Sequence, residues 1–181
     1  MQSESLIQWQ VADGVGHIVL NRPEGANALN TALARAFADA VTQAERADVG
    51  AILLSAHGKQ FCAGGDINEF VERSADFDAL IVSMLDLLHP AIHRLATLPL
   101  PVVSAVQGAI GGAGIALALC ADFVLASTAM KLRGGYSAIG LSPDLGASYY
   151  LARRAGSARA KNILMTNRAL SAEQCLDWGL V

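Results

Sequence analysis

Two glycine-rich turns, Gly64-Gly65-Asp66 and Gly111-Gly112-Ala113-Gly114, are the places in this sequence where main-chain N–H groups are most easily left bare. Glycine tolerates positive φ and lets a ligand approach the backbone closely. The second turn also precedes a short apolar helical segment, and the first N–H groups of any helix have no partner within it. Donors of that kind suit an oxygen that gains negative charge during a reaction. The competing explanation is structural, since tight turns and close helix–sheet packing use the same glycines. Phosphate cradling fits less well. The run Gly108-Ala-Ile-Gly111-Gly112-Ala-Gly114 lacks the GxGxxG spacing of a dinucleotide turn, and no lysine follows it as a P-loop requires.

The elements that must carry these turns alternate in type. Leu6–Val11 and His17–Leu20 read as two strands joined at Asp13-Gly14, a hairpin signal. Asn30 is placed to cap a helix whose Leu33, Phe37, Ala40, Val41 and Ala44 recur at helical spacing, ending near Asp48. Ala51–Ser55 reads as a buried strand, followed by a loop through Gly58, Gly64 and Gly65. A second helical pattern runs from Asp76 to Leu98, with Pro90 kinking or restarting it. Val102–Val106 and Phe123–Ala126 read as strands either side of the Gly108–Gly114 turn and a short helix over Ile115–Leu119. The tail holds helices at about Ala155–Met165 and Ser171–Asp177, the latter opened by a Ser171-x-x-Gln174 capping box. This order predicts a single α/β domain over residues 1–181, with crossover connections and helices covering the sheet.

Composition narrows the partners. The chain is 53% apolar and 16% charged, so a good core is expected, and roughly 70% of the extended-chain surface is buried in a domain of this size. No apolar run reaches the ~18 to 20 residues of a bilayer span, and Gln107, Asp122 and several glycines interrupt the most apolar stretch, Val102–Ala126. A net charge of −3 offers no global field for nucleic acid or an anionic membrane. Cys62, Cys120 and Cys175 are odd in number and lack metal-ligand spacing, so a reducing cytoplasm and no metal are expected. The first ten residues do not have the pattern of a signal peptide.

Four blocks carry a family resemblance: Leu20-Asn-Arg-Pro with Asn27-Ala-Leu, Phe61-Cys-Ala-Gly-Gly-Asp-Ile67, Pro101-Val-Val-Ser-Ala-Val-Gln-Gly108, and Gly140-Leu-Ser-Pro-Asp144. In order and spacing they resemble the crotonase (enoyl-CoA hydratase/isomerase) superfamily over essentially the whole chain. The resemblance implies a ClpP/crotonase-like core of repeated ββα units and an acyl-CoA thioester as partner, with coenzyme A part of the substrate and no other cofactor. It also implies an oxyanion hole from the N–H groups of Gly65 and Ala113. Residues around Ala26 and Ala28, Gly64 to Ile67 including Asp66, and Gly112 are expected to line the substrate path, and Arg22 is a candidate phosphate partner. The helices that close the CoA site and build trimers or hexamers in the family follow the Trp-Gly-Leu-Val motif, which here ends at Val181.

Departures from the family pattern point to the reaction. Hydratases of the superfamily place glutamates where this sequence has Ala116 and Tyr136, and activating a water and protonating Cα needs such a pair. Asp144 remains, at a position where a lone carboxylate resembles the enoyl-CoA isomerase and phenylacetate ring-epoxide isomerase branches. One carboxylate is sufficient for a 1,3-proton shift, so isomerisation is the leading expectation, with Tyr136 lining the acyl pocket. The alternative for Asp144 is a helix N-cap at Leu145. A further likeness, to 4-chlorobenzoyl-CoA dehalogenase, makes Asp144 a nucleophile and His89 a base, against which His89-Pro90 reads as a helix-boundary histidine. Hydratase-like activity and a non-catalytic acyl-CoA-binding scaffold complete the alternatives.

Overall fold

The structure is a computed structural model that describes residues 5–181. Strands β1 (Ile7–Ala12) and β2 (Val15–Leu20) pair antiparallel, with Asp13 and Gly14 both at positive φ, 51° and 75°. That is the backbone a two-residue hairpin with right-handed strand twist demands. Asn30 then caps α1 (Thr31–Arg46) by accepting the Leu33 N–H at 2.8 Å, and Leu33, Ala34, Phe37, Ala40, Val41 and Ala44 face the core. Removing a side chain the size of Phe37 from water contributes roughly 1.5–3 kcal/mol.

Strand β3 (Ala51–Ala56) returns parallel to β2. A loop, the short helix α2 (Ile67–Glu72) and a turn at Ser74–Asp76 lead into α3 (Phe77–Ala96), which packs on α1. Helix α3 runs unbroken through Pro90, so of the two outcomes expected there, a kink or a restart, the restart does not occur. Its span matches a bilayer crossing in length and composition, unlike the expectation from apolar runs. It is amphipathic instead: Leu80, Met84, Leu88, Ala91, Ile92 and Leu95 are buried, while Asp78, Asp86, His89 and His93 are exposed.

The remaining chain builds strands in pairs. Strand β4 (Val102–Val106) joins the first sheet, β5 (Ala109–Gly111) starts a second, and α4 (Ala113–Leu119) follows; β6 (Phe123–Ala126) again joins the first sheet and β7 (Lys131–Arg133) the second. Helices α5 (Ala147–Ala155) and α6 (Ser157–Thr166) are separated by Gly156, and β8 (Leu170–Ser171) leads into α7 (Ala172–Asp177) with its Ser171–Gln174 capping box intact. The large sheet has the order β1-β2-β3-β4-β6 and the small one β5-β7-β8. Cys62 adds a parallel bridge to Ile110 at the small sheet's edge. The pattern is the crotonase fold of repeated ββα units: β3, Cys62 and α2; β4, β5 and α4; β6, β7 and α5.

Candidate active site

Each of those three units crosses the small sheet in the same direction and turns at the same rim. Ala63–Gly65 follow the Cys62 bridge, Gly112 and Ala113 follow β5, and Gly134–Tyr136 follow β7. Residues from all three turns line one cavity of about 530 Å³. The carboxyl ends of parallel strands are where α/β folds hold their ligands, and here the repeat brings Gly65, Ala113 and Tyr136 to a common wall.

The main-chain hydrogen bonds at this rim leave a pattern. Gly64 O accepts from Leu29 N at 2.7 Å, Asp66 N donates to Leu29 O, Gly111 N to Cys62 O, and Gly112 N to Gly134 O. Among the described residues, the N–H groups of Gly65 and Ala113 donate to no one. Bare donors on a cavity wall are exceptions to the near-complete pairing of backbone groups in folded proteins. The turns leave no room for a larger residue at most of their glycines, as two of them illustrate. Gly64 has φ +110° with the Gly111 carbonyl oxygen 3.0 Å from where a Cβ would sit, and a methyl on Gly114 would overlap the Cys62 carbonyl. The thiol of Cys62, beneath these turns, is pushed up to about 12 by burial, so it is no nucleophile.

Facing the same cavity, Asp144 accepts a 2.7 Å hydrogen bond at Oδ1 from the Tyr136 hydroxyl. Burial raises the Asp144 carboxyl above the ordinary range, while the hydrogen bond from the Tyr136 O–H pulls it back. Burial also raises the Tyr136 phenol, with the Asp144 charge adding to it, so the phenol stays protonated and donates. The alternative reading of Asp144 as a helix cap is overturned. Helix α5 starts at Ala147 behind Gly146 without a side-chain cap; only the Asp144 main-chain oxygen contributes, accepting from Ala147 N at 2.8 Å. The rest of the wall is mostly apolar, with Phe70 and Phe77 packed edge to face at 5.5 Å beside Ile67, Ile81, Met84, Leu88 and Leu141, and with Asp78 and Ser142 as its polar members.

Several expected site residues lie elsewhere. His89 is exposed, and its Nε2 accepts the Leu145 N–H at 3.1 Å, so the lone pair a base would need is already engaged. Asp66 is buried off the cavity; one oxygen pairs with Arg22 at 2.6 Å and the other accepts from Asn68 N, capping α2. Arg22, which also donates to Ala28 O, is thereby drawn into the protein rather than toward a phosphate. Ala26 and Ala28 sit on the loop that Asn27 ties to the carbonyls of His57 and Gln60, and they do not line the cavity. Ala116 is buried within α4. Sequence reasoning missed the Tyr136–Asp144 bond, the His89–Leu145 bond, and Phe70, Phe77 and Asp78 on the wall; none has a local signature beyond an apolar or acidic residue type.

Comparison with known proteins follows the geometry. The family model described as Enoyl-CoA hydratase/isomerase matches residues 10–181. The chain is 39% identical over 173 residues to 1,2-epoxyphenylacetyl-CoA isomerase of Escherichia coli, covering 94% of this chain and 66% of that protein. It is 36% identical over 178 residues to a trans-2-decenoyl acyl-carrier-protein isomerase of Streptococcus mutans, covering 97% and 67%. The crystal structure of an enoyl-CoA hydratase from Polaromonas sp. JS666 superposes with a TM-score of 0.89 at 34% identity, covering 97% of this chain and 68% of that one. The chain thus spans about two thirds of the length of these relatives.

Proposed function

The chain belongs to the enoyl-CoA hydratase/isomerase family, and from that premise we propose that it binds an acyl-CoA thioester and moves its double bond by a 1,3-proton shift. In this reading the thioester carbonyl oxygen accepts from the Gly65 and Ala113 N–H groups. Asp144 takes a proton from C2; the electron pair of that C–H bond delocalises into a dienolate whose oxygen the two N–H groups hold. The carboxylic acid then returns the proton at C4, leaving the double bond between C2 and C3. No atom is gained or lost, and Asp144 ends as it began.

The observation that carries this reading is the coincidence of two unpartnered main-chain donors and one partly buried carboxylate on a single apolar cavity. Preorganised donors aimed at a developing oxyanion are usually the largest electrostatic contribution to such chemistry, and losing one costs about 3–4 kcal/mol. The raised carboxyl of Asp144 brings the base nearer to neutral pH, where proton transfer is most efficient. The relatives' names include both isomerases and hydratases, so the direction rests on the residues of this cavity. Hydration asks for a second acid/base group, and the two positions that would supply it hold a core alanine, Ala116, and a protonated phenol, Tyr136.

The test offers the protein a panel of aliphatic and aromatic 3-enoyl-CoA esters and follows both isomerisation and exchange of the C2 proton in deuterated water, for the native chain and for Asp144→Asn. Turnover and exchange that both collapse in the variant support the assignment. A variant that keeps full rate and full exchange removes Asp144 from the mechanism. Tight ester binding by the native chain without turnover or exchange selects a binding scaffold instead.

A further inference from the structure

Asp144 is followed by a residue in a conformation that its type does not favour. Leu145 has φ +50°, in the left-handed region, and Gly146 after it has φ +84°. Glycine enters that region freely, whereas leucine does so only when its surroundings hold it there. Leu145 is held at both ends of its structure: its side chain is 3% exposed on the cavity wall, and its N–H donates to His89 Nε2 at 3.1 Å, reaching across to helix α3. The donor is a main-chain N–H, whose hydrogen cannot move. The acceptor must therefore be a bare ring nitrogen, and His89 is neutral with its proton on Nδ1.

We propose that His89 is a positioning residue: by accepting the Leu145 N–H it fixes the left-handed turn that aims the Asp144 carboxylate at Tyr136 and the cavity. The inference rests on the reading of Asp144 as the proton carrier, and it gives His89 a part distinct from that of a base. The imidazole is outside the cavity wall and never meets the substrate; it acts through one peptide group. Helix α3 supplies the apolar wall through Met84 and Leu88 and, from the next residue along, anchors the segment that bears the carboxylate.

Replacing His89 by Leu removes the acceptor, while Gln returns an oxygen near the place of Nε2. His89→Leu is expected to lower kcat at least about tenfold, as small misplacements of a reacting group do, with KM for the 3-enoyl-CoA ester little changed. His89→Gln is expected to recover most of that loss. Nitrogen-15 shifts of the His89 ring in the native chain are expected to show Nδ1 protonated and Nε2 bare, a readout that needs no turnover. A His89→Leu variant with native kcat, a His89→Gln variant no better than Leu, or a ring protonated at Nε2 each overturns the proposal. Asp144→Asn, measured alongside, separates this from the parent reading: if that variant is inactive while His89→Leu is fully active, only the positioning role fails, and if Asp144→Asn is fully active the proton-carrier reading fails.

Discussion

Two cavities of nearly equal size, about 530 and 520 Å³, differ in what their polar groups are doing. The second lies among the end of α3, the chain after α4, and α5, lined by residues such as Thr97, Asp122, Tyr149 and Arg154. Several of its polar groups are engaged by the protein itself. Arg154 donates to the carbonyls of Leu119, Ala121 and Asp122, Arg153 donates to the Tyr149 hydroxyl at 2.9 Å, and Asp122 Oδ2 accepts from Val102 N at 2.9 Å. In the first cavity an apolar wall surrounds two N–H groups without a partner among the described residues and a carboxylate with a raised pKa. Volume therefore does not distinguish them; convergent polar groups left free for a ligand do.

The contrast breaks most directly at Asp144. Asp144→Asn keeps an oxygen to accept from Tyr136 but cannot carry a proton, and kcat is expected to fall by about 10²–10⁴-fold. Stability should move the other way. Because burial raises the native carboxyl above its unfolded value, the native state holds the proton more tightly, and ionisation weakens the fold as pH rises from the ordinary carboxylate range through the raised value. The asparagine variant escapes that loss. Its melting temperature should match the native one in acid and exceed it at neutral pH; equal values at both would show that Asp144 is not in the desolvated setting described.

The next largest effect belongs to the backbone side of the same cavity. Gly64→Ala places a methyl 3.0 Å from the Gly111 carbonyl oxygen at a φ of +110°, so the peptide that presents the Gly65 N–H must rotate. Losing one oxyanion donor costs about 10²–10³ in kcat. A folded variant with native kcat would mean that the Gly65 amide is not used.

How far the sequence could be read follows from which contacts are local. The Asn30 cap, the Asp13-Gly14 turn and the Ser171–Gln174 box join residues at most three apart, and each is found where residue type placed it. The glycine turns were equally visible, because their function needs glycine itself. Strands β5 and β7 are three residues long, too short to show a period of two, so the second sheet leaves no local pattern and the ββα repeat is expected only through the family resemblance. Asp66 looked like part of a substrate loop, but its partner Arg22 lies 44 residues away by number, as His89 and Leu145 lie 56 apart. Such pairings depend on the tertiary fold, and no local pattern encodes them.

Tyr136→Phe sharpens the contrast by moving a titration rather than abolishing a reaction. The phenol O–H stabilises the ionised Asp144, opposing the larger effect of burial. Removing it raises the carboxyl further, so the acid limb of the rate profile should shift to higher pH while the plateau above it changes less. An acid limb that stays in place, or moves to lower pH, would show that the 2.7 Å hydrogen bond does not govern the base.

Arg154→Met is expected to leave the activity alone, and it tests the second cavity as the others test the first. Methionine keeps much of the aliphatic stem but leaves the three carbonyls at and just beyond the end of α4 without the guanidinium that gathers them. Hydrogen bonds from a charged donor contribute about 1.5–3 kcal/mol, and Arg154 is partly open to water, which reduces the loss to about 1–2 kcal/mol. Denaturant unfolding should show a lower midpoint, while kcat and KM for a 3-enoyl-CoA ester stay native. The opposite pattern, native stability with impaired turnover, would mean that the polar groups of this second cavity serve a ligand after all, and that engagement with the protein's own backbone is not what separates an inert hollow from a reactive one.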